Sequence, residues 1–299
     1  MKKSLLSILF LLLIATTAQA QIVNIPDAKF KKRLLTYIPK IDLNSDGQIQ
    51  VSEAQMVTKL FVEDRNIANL TGIEAFTALT QLNCSGIRLT TLDVTKNTAL
   101  TQLNCSGNNL TTLDVTNNTA LVDLVCYYNS LTTLDVTNNT ALVHLFCFTN
   151  SLTTLDVTKN IALTSLVCSK NSLTSLDVTK NIALTQLDCS RMKLTTLDVT
   201  KNTALTLLHC NFNSLTTLDV TNNTALVDLE CDINSLTTLD VTNNTALNWL
   251  YCNDNPTLSI ICLTPTQLGL TVSDARYWKK YASATWSTTC TNGIEALKH

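Results

Sequence analysis

The chain has 299 residues, 15% of them charged, and a formal net charge of −2 with no basic block. That excludes the electrostatic footprint of nucleic-acid binding. With only three histidines, no phosphate loop and no nucleophile elbow, little is left from which to build an active site, and the chain is expected not to be an enzyme.

Residues 1–20 have the form of a signal peptide. Lys2 and Lys3 precede an apolar run from Leu5 to Ile14, and Ala18-Gln19-Ala20 offers small residues where a signal peptidase cuts. Gln21 then begins the mature chain, and because it is not Cys a bacterial lipid anchor is not expected. No later stretch approaches the roughly 20 apolar residues of a membrane helix. The expectation is a secreted protein, free or attached to the cell surface, and monomeric.

Residues 21–56 read as a helical N-terminal cap. Asp27 to Ile38 has helical spacing, with Phe30, Leu34, Tyr37 and Ile38 on one side. The stretch from Asp42 to Glu53 then matches D-x-[DN]-x-[DN]-G-x5-E in full and resembles an EF-hand loop. In that reading Asp42, Asn44 and Asp46 supply side-chain oxygens, Gly47 permits the sharp turn, Gln48 offers its carbonyl, Gln50 acts through water and Glu53 closes the site as a bidentate ligand. Ser52 is placed to cap a second helix running into the first coil. One structural Ca2+ is expected; without metal the same residues read as an Asx-rich turn.

Residues 57–255 are repetitive. Cys84, Cys105, Cys126, Cys147, Cys168, Cys189, Cys210, Cys231 and Cys252 stand 21 residues apart, and the text around them recurs in about ten coils. Such a period is the signature of a solenoid. Leu100, Leu103 and Cys105 alternate inward along a short strand. Asn108 turns the chain and bonds neighbouring backbone. Leu110, Leu113 and Val115 point inward from the opposite wall, and Asn118 takes the second corner. The pattern LxxLxCxxNxL resembles the leucine-rich repeat, with Cys in place of one apolar residue. More narrowly it resembles bacterial surface repeats of the internalin type, some of which share this coil length and a buried cysteine ladder. The resemblance covers about Val57 to Asn255 and implies a solenoid with parallel β-sheet walls, both extended, roughly 45 to 50 Å long at about 4.8 Å per strand. It also implies an EF-hand-like N-terminal cap.

In-register cysteines point the same way, a poor geometry for disulfides. An apolar surrounding also suppresses thiol reactivity. The ladder is therefore read as reduced, small-hydrophobe packing. Cys262 and Cys290 lie outside it, flank a non-repeating segment with Trp278 and Trp286, and are expected to form one disulfide in a C-terminal cap over 256–290. Similar Cys-to-Cys segments close exported repeat proteins of the Bacteroidota type. Residues 291–299 read as a linker-like tail.

Between coils, inward residues barely change while outward strand positions change a great deal. Tyr127, Tyr128, Phe146, Phe148, Phe212, Trp249 and Tyr251 all fall on the outward strand face. Clustered exposed aromatics mark binding surfaces. The first four are expected to form one patch, and the last three a looser second one. Lys170 and Arg191 share a column. Asp228, Glu230 and Asp232 alternate along one strand beside Asp254, either as a solvated acidic face or as a second cation site. His144 and His209 fall three coils apart, roughly 15 Å by strand spacing, too far to share a metal or a proton.

The other wall repeats Asp93, Asp114, Asp135, Asp156, Asp177, Asp198, Asp219 and Asp240, each flanked by threonines that can bond it. Solubility and blocking of sideways sheet association are its expected roles, with a repetitive mineral-binding face as the alternative. The leading functional expectation is a protein-binding or adhesive module working through the variable face. Polysaccharide capture, or a structural surface spacer, are the alternatives.

Overall fold

The computed structural model describes residues 21–273 and 277–290. The expected export segment 1–20 and tail 291–299 lie outside the described residues. Among the described residues no helix is long and apolar enough to cross a membrane.

The repeats form a stack of short coils around one leucine core. Strands β1 (Lys59–Phe61), β2 (Gln81–Asn83), β3 (Gln102–Asn104), β4 (Asp123–Val125), β5 (His144–Phe146) and β6 (Ser165–Val167) lie in chain order. They continue as β7 (Gln186–Asp188), β8 (Leu207–His209) and β9 (Asp228–Glu230). All pair in parallel with their neighbours, and β11 (Trp249–Cys252) and β13 (Trp278–Lys280) complete an 11-stranded sheet. The register advances by one coil each time, so Leu103 faces Leu124 and Leu124 faces Leu145. Each strand is about one central leucine long. That leucine is buried, its two neighbours point outward, and the Cys that follows points back into the core. The backbone N–H of Cys105 donates to the carbonyl of Val125 at 2.9 Å, which extends the ladder past the strand end.

Two asparagine series hold the corners. Asn108 Nδ2 donates to the carbonyls of Cys84 and Cys105, both at 2.9 Å, while its Oδ1 accepts the N–H of Leu89 at 2.9 Å. One side chain thus satisfies three backbone groups on two coils. Asn118, fully buried, donates to the carbonyls of Val94 at 3.0 Å and Asn97 at 2.8 Å. Its Oδ1 finds no partner, a cost repeated in the same column at Asn139, Asn160 and Asn181.

The cysteine ladder is as expected: nine buried free thiols. Burial pushes the thiols of Cys105 and Cys147 up to about 12, so they stay protonated and inert.

The opposite wall departs from the expectation of a second continuous sheet. It pairs regularly only at the C-terminal end, where β10 (Thr238–Asp240), β12 (Ile260–Cys262) and β14 (Thr285–Ser287) form a three-stranded sheet, and an isolated bridge joins Asp93 to Asp114. Along the whole wall each Asp side chain takes the N–H and hydroxyl of the Thr two residues on: Asp156 does so with Thr158 at 2.9 and 2.7 Å, and Asp240, within β10, with Thr242 at 2.9 and 2.7 Å, so these bonds are compatible with pairing as well as with its absence.

Both ends are sealed. At the N-terminus α1 (Ala28–Leu35) buries Phe30 and Leu34 completely. Asp27 caps it through Lys29 and Phe30, and its other oxygen accepts the N–H groups of Ala68 and Asn69, tying cap to coil. Burial pushes the Asp27 carboxyl up, but these four N–H groups hold it below the ordinary value. The helix stops earlier than Ile38 because Pro39 disfavours helix before it. The second helix is α2 (Val51–Ala54), a single turn capped by Gln50 rather than Ser52.

At the C-terminus the Cys262–Cys290 disulfide is present. The cap is itself a divergent coil, since β13 and β14 continue both walls. Gln267, on α3 (Pro265–Ser273), donates to the carbonyls of Val241 at 2.9 Å and Asn244 at 3.0 Å. It thereby does for the last coil what the corner asparagines do for the others.

Candidate functional site

The aromatic residues of the variable wall separate into several groups. Tyr127 and Phe148 stack face to face at 4.4 Å, and Tyr128 packs edge-on against both, at 5.5 and 5.4 Å. Tyr128 is 51% exposed. Phe146, expected in the same patch, turns instead toward His144, 6.3 Å away. His144 in turn meets Asp123 on the previous strand, Nδ1 to Oδ1 at 2.5 Å.

The looser second patch is not one patch. Phe212 lies under the guanidinium of Arg191, 3.7 Å from the ring centroid, while Trp249 packs edge-on against Tyr277 of the C-terminal cap at 5.8 Å. Tyr251 follows Trp249 on β11. Only Phe146, Trp249 and Tyr251 lie on strands, because the strands are too short to carry more.

Tyr128 and Phe212 stand at the corner just past the strand, and that corner is left-handed in every coil. Gly86 and Gly107 occupy it first, at φ of 68° and 65°. From there on Tyr128, Thr149, Lys170, Arg191, Phe212, Ile233 and Asp254 occupy it, at φ between 51° and 55°. A left-handed residue with a side chain costs roughly 1–2 kcal/mol, and β-branched ones are outliers there. Lys170 and Arg191 do share a column, as expected, and it is this one.

Further along the wall, Asp228 and Glu230 meet a residue from the preceding coil. His209 Nε2 lies 3.3 Å from Asp228 Oδ2 and 3.9 Å from Glu230 Oε1. Burial pushes His209 down, but contact with Asp228 and the charges of Glu230, Asp228 and Asp188 leave it above its ordinary value. Burial also lifts Glu230 and Asp232, and neighbouring carboxylates add to both. The sequence shows His209 as too far from His144 for joint chemistry, which holds; its partners are carboxylates one coil away.

In the loop of the N-terminal cap, Gly47 takes φ 77° and Ser45 φ 63°. Asp42 accepts the N–H of Ser45 at 2.7 Å and of Gly47 at 3.1 Å; Asn44 Oδ1 accepts that of Asp46 at 3.0 Å. Asp46 accepts the N–H of Gln48 at 2.8 Å, the largest of the effects that hold its carboxyl below the ordinary range. Glu53 accepts the N–H of Leu43 at 2.7 Å with one oxygen and of Gln50 at 3.0 Å with the other. Lys31 reaches the Gln48 side chain at 2.6 Å. The carboxylates of Asp42 and Glu53 are buried, and among the described residues neither forms an ion pair with lysine or arginine. The N-terminal segment lies alongside this loop. Ile22 bridges Gln50, and Val23 N–H donates to the carbonyl of the buried Ile49 at 2.8 Å.

No protein-family model matches the chain, and no curated protein matches it. Among solved structures, the functional domain of InlJ from Listeria monocytogenes, which includes a cysteine ladder, is 38% identical at a TM-score of 0.59. That match covers 72% of this chain and 55% of that one, so the chain spans about half the length of its relative. The internalin InlF from the same organism matches at 18% identity and a TM-score of 0.67, over 91% of this chain and 98% of that one. The Leptospira interrogans protein LIC12759 matches at 19% and 0.58, over 76% and 64%. The chain is a leucine-rich-repeat solenoid. InlF and LIC12759 support that fold alone, whereas InlJ extends the likeness to the cysteine column. Within the repeat solenoid, the variable strand wall holds every aromatic residue between Leu79 and Asn255, and the wall opposite holds none.

Proposed function

We propose that this repeat solenoid is an exported, non-enzymatic binding protein that holds a protein partner on its variable strand wall, with Tyr127, Tyr128 and Phe148 as the anchor. The observation that carries this reading is the three-ring cluster itself. Its rings lock one another, so a partner gains large apolar contact at little entropic cost, as interface hot spots do. The Tyr127 and Phe148 faces are turned to each other rather than to solvent, which suits a protein surface better than the open ring platform a polysaccharide stacks on. The likeness to InlJ favours the surface of a bacterium as the setting, and residues 1–20 supply a route of export. The test is binding of the chain from Gln21 onward to protein and glycan arrays, beside a variant with Tyr127, Tyr128 and Phe148 all changed to Ala. Protein targets lost by the variant support the reading. Glycan targets alone, or protein targets the variant keeps, overturn it.

The same reading includes one structural Ca2+ in the loop from Asp42 to Glu53. Two buried carboxylates that no lysine or arginine neutralises, each held by backbone N–H groups alone, favour a cation there. Asp42, Asn44, Asp46, the Gln48 carbonyl and Glu53 would hold it. Bound there it would lock the loop against the N-terminal segment and so fix the seal on the first coil. Thermal unfolding is expected to rise with calcium over chelator, and Glu53→Gln to abolish the rise. An unchanged midpoint in the unsubstituted chain overturns the calcium assignment.

A further inference from the structure

The cluster of His209 with Asp228 and Glu230 belongs neither to the aromatic anchor nor to the calcium loop. β8 and β9 pair so that His209 stands opposite Glu230 and Leu207 opposite Asp228, all four pointing outward. One ligand atom from each of His209, Asp228 and Glu230 lies within 4.8 Å of the other two. Two of the polar atoms there, His209 Nε2 and Asp228 Oδ1, are shut off from solvent and have no hydrogen-bond partner. Nε2 thus approaches Asp228 Oδ2 at 3.3 Å without a hydrogen bond of good geometry. Two ligands on a tetrahedral ion with bonds of 2.0–2.1 Å are separated by about 3.3 Å. The His209–Asp228 spacing fits an ion between those two groups, with Glu230 Oε1 3.9 Å from Nε2 and close enough to complete the set.

The surroundings are arranged around the same point. Asn211 Nδ2 donates to Glu230 Oε2 at 3.3 Å, holding that oxygen away and leaving Oε1 for the cluster. Asp188, on the strand before His209, is already occupied by Ser169 and Ser190 and adds charge without competing as a ligand. Trp249 and Tyr251 stand beside Asp228 and Glu230 on the next strand and flank the site.

We propose that His209, Asp228 and Glu230 bind a divalent transition-metal ion of the zinc type. Imidazole selects such ions over calcium and magnesium, which prefer oxygen alone. Three protein ligands leave a fourth coordination position, which water or a side chain of a partner completes. This assignment stands on its own geometry and does not depend on the partner reading above.

The experiment is calorimetric titration of Zn2+ into the chain from Gln21 onward, with calcium in excess to satisfy the cap loop. Cobalt substitution and imidazole NMR accompany it. One equivalent should bind, at least tenfold more weakly in His209→Gln and in Asp228→Asn, and unchanged in Glu53→Gln. With cobalt the spectrum should lack thiolate charge transfer, which separates this site from the ladder cysteines. In the unsubstituted chain the His209 resonances should move on adding Zn2+ while those of His144 stay, a readout independent of whether any variant folds. Absence of binding, binding that His209→Gln leaves intact, or a thiolate signature overturns the assignment.

Discussion

The two walls of the solenoid are built from coils of the same length, yet one varies freely and the other hardly at all. On the strand wall the backbone holds itself: N–H groups and carbonyls pair from coil to coil, as Cys147 does with Val167 at 2.9 Å. Outward side chains there have no structural duty, so aromatics, acids and bases come and go. On the opposite wall the side chains do the holding. Asp156 takes the backbone of Thr158, and Asn160 takes the carbonyls of Val136 and Asn139 at 2.9 and 2.8 Å. Changing those residues breaks the wall. Variation within a repeat array therefore maps where backbone pairing has relieved side chains of structural work, and such a surface is free to recognise something.

The largest test of this contrast removes a corner. Asn160→Ala should remove one of the two donors from each of two buried carbonyls, which keep the N–H groups of Asn139 and Leu142, and cost about 1–3 kcal/mol in urea unfolding. Lys170→Arg, at an exposed position, should stay within about 0.5 kcal/mol. Equal costs would break the comparison. The other corner shows what the chain tolerates: Met192 replaces an asparagine there and remains buried without the bonds its neighbours make.

A smaller effect separates the acids of the two walls, measured in chelator as unfolding midpoint against pH. Thr158 donates to Asp156 by side chain and backbone and holds its carboxyl below the ordinary 3.8. Its contribution is present above that value and is lost as pH falls through and below it. Burial lifts Glu230 above 4.5, so its contribution is present below 4.5 and lost as pH rises through the raised value. At pH 7 Glu230→Gln should therefore stabilise the chain and Asp156→Asn weaken it. Below pH 4 both differences should shrink. The same sign for both at neutral pH would show that the walls do not differ electrostatically.

The smallest effect sharpens the picture of the left-handed corner. Ile233 is β-branched at φ 52°. Ile233→Gly should raise stability by about 0.5–1 kcal/mol in the same unfolding assay, the relief of strain exceeding the entropy glycine adds to the unfolded chain. Gly107→Ile should lower it by a similar amount.

Much of this protein was legible in its text. The period announced stacking, the columns of Leu, Cys and Asn announced which atoms face inward, and Cys262 and Cys290 stood apart from the ladder and pair with each other. The variable wall was legible as variation between coils. Less legible were its groupings. Tyr127 and Phe148 occupy one column and stack, whereas Phe146, two residues from Phe148, turns to His144. His209 looked solitary because its partners lie 19 and 21 residues later. The loss of a continuous second sheet was hidden because the Asp-x-Thr unit recurs alike in the coils that pair on that wall and in those that do not.

A repeat fixes coil length, inward columns and corner chemistry by itself, since each coil faces a near copy and burial admits one answer. It does not fix which outward side chains meet. Those contacts form between coils, across a register set by stacking and a corner set by backbone strain, and only the assembled solenoid brings His209 to Asp228 and Glu230, or Tyr128 to Phe148.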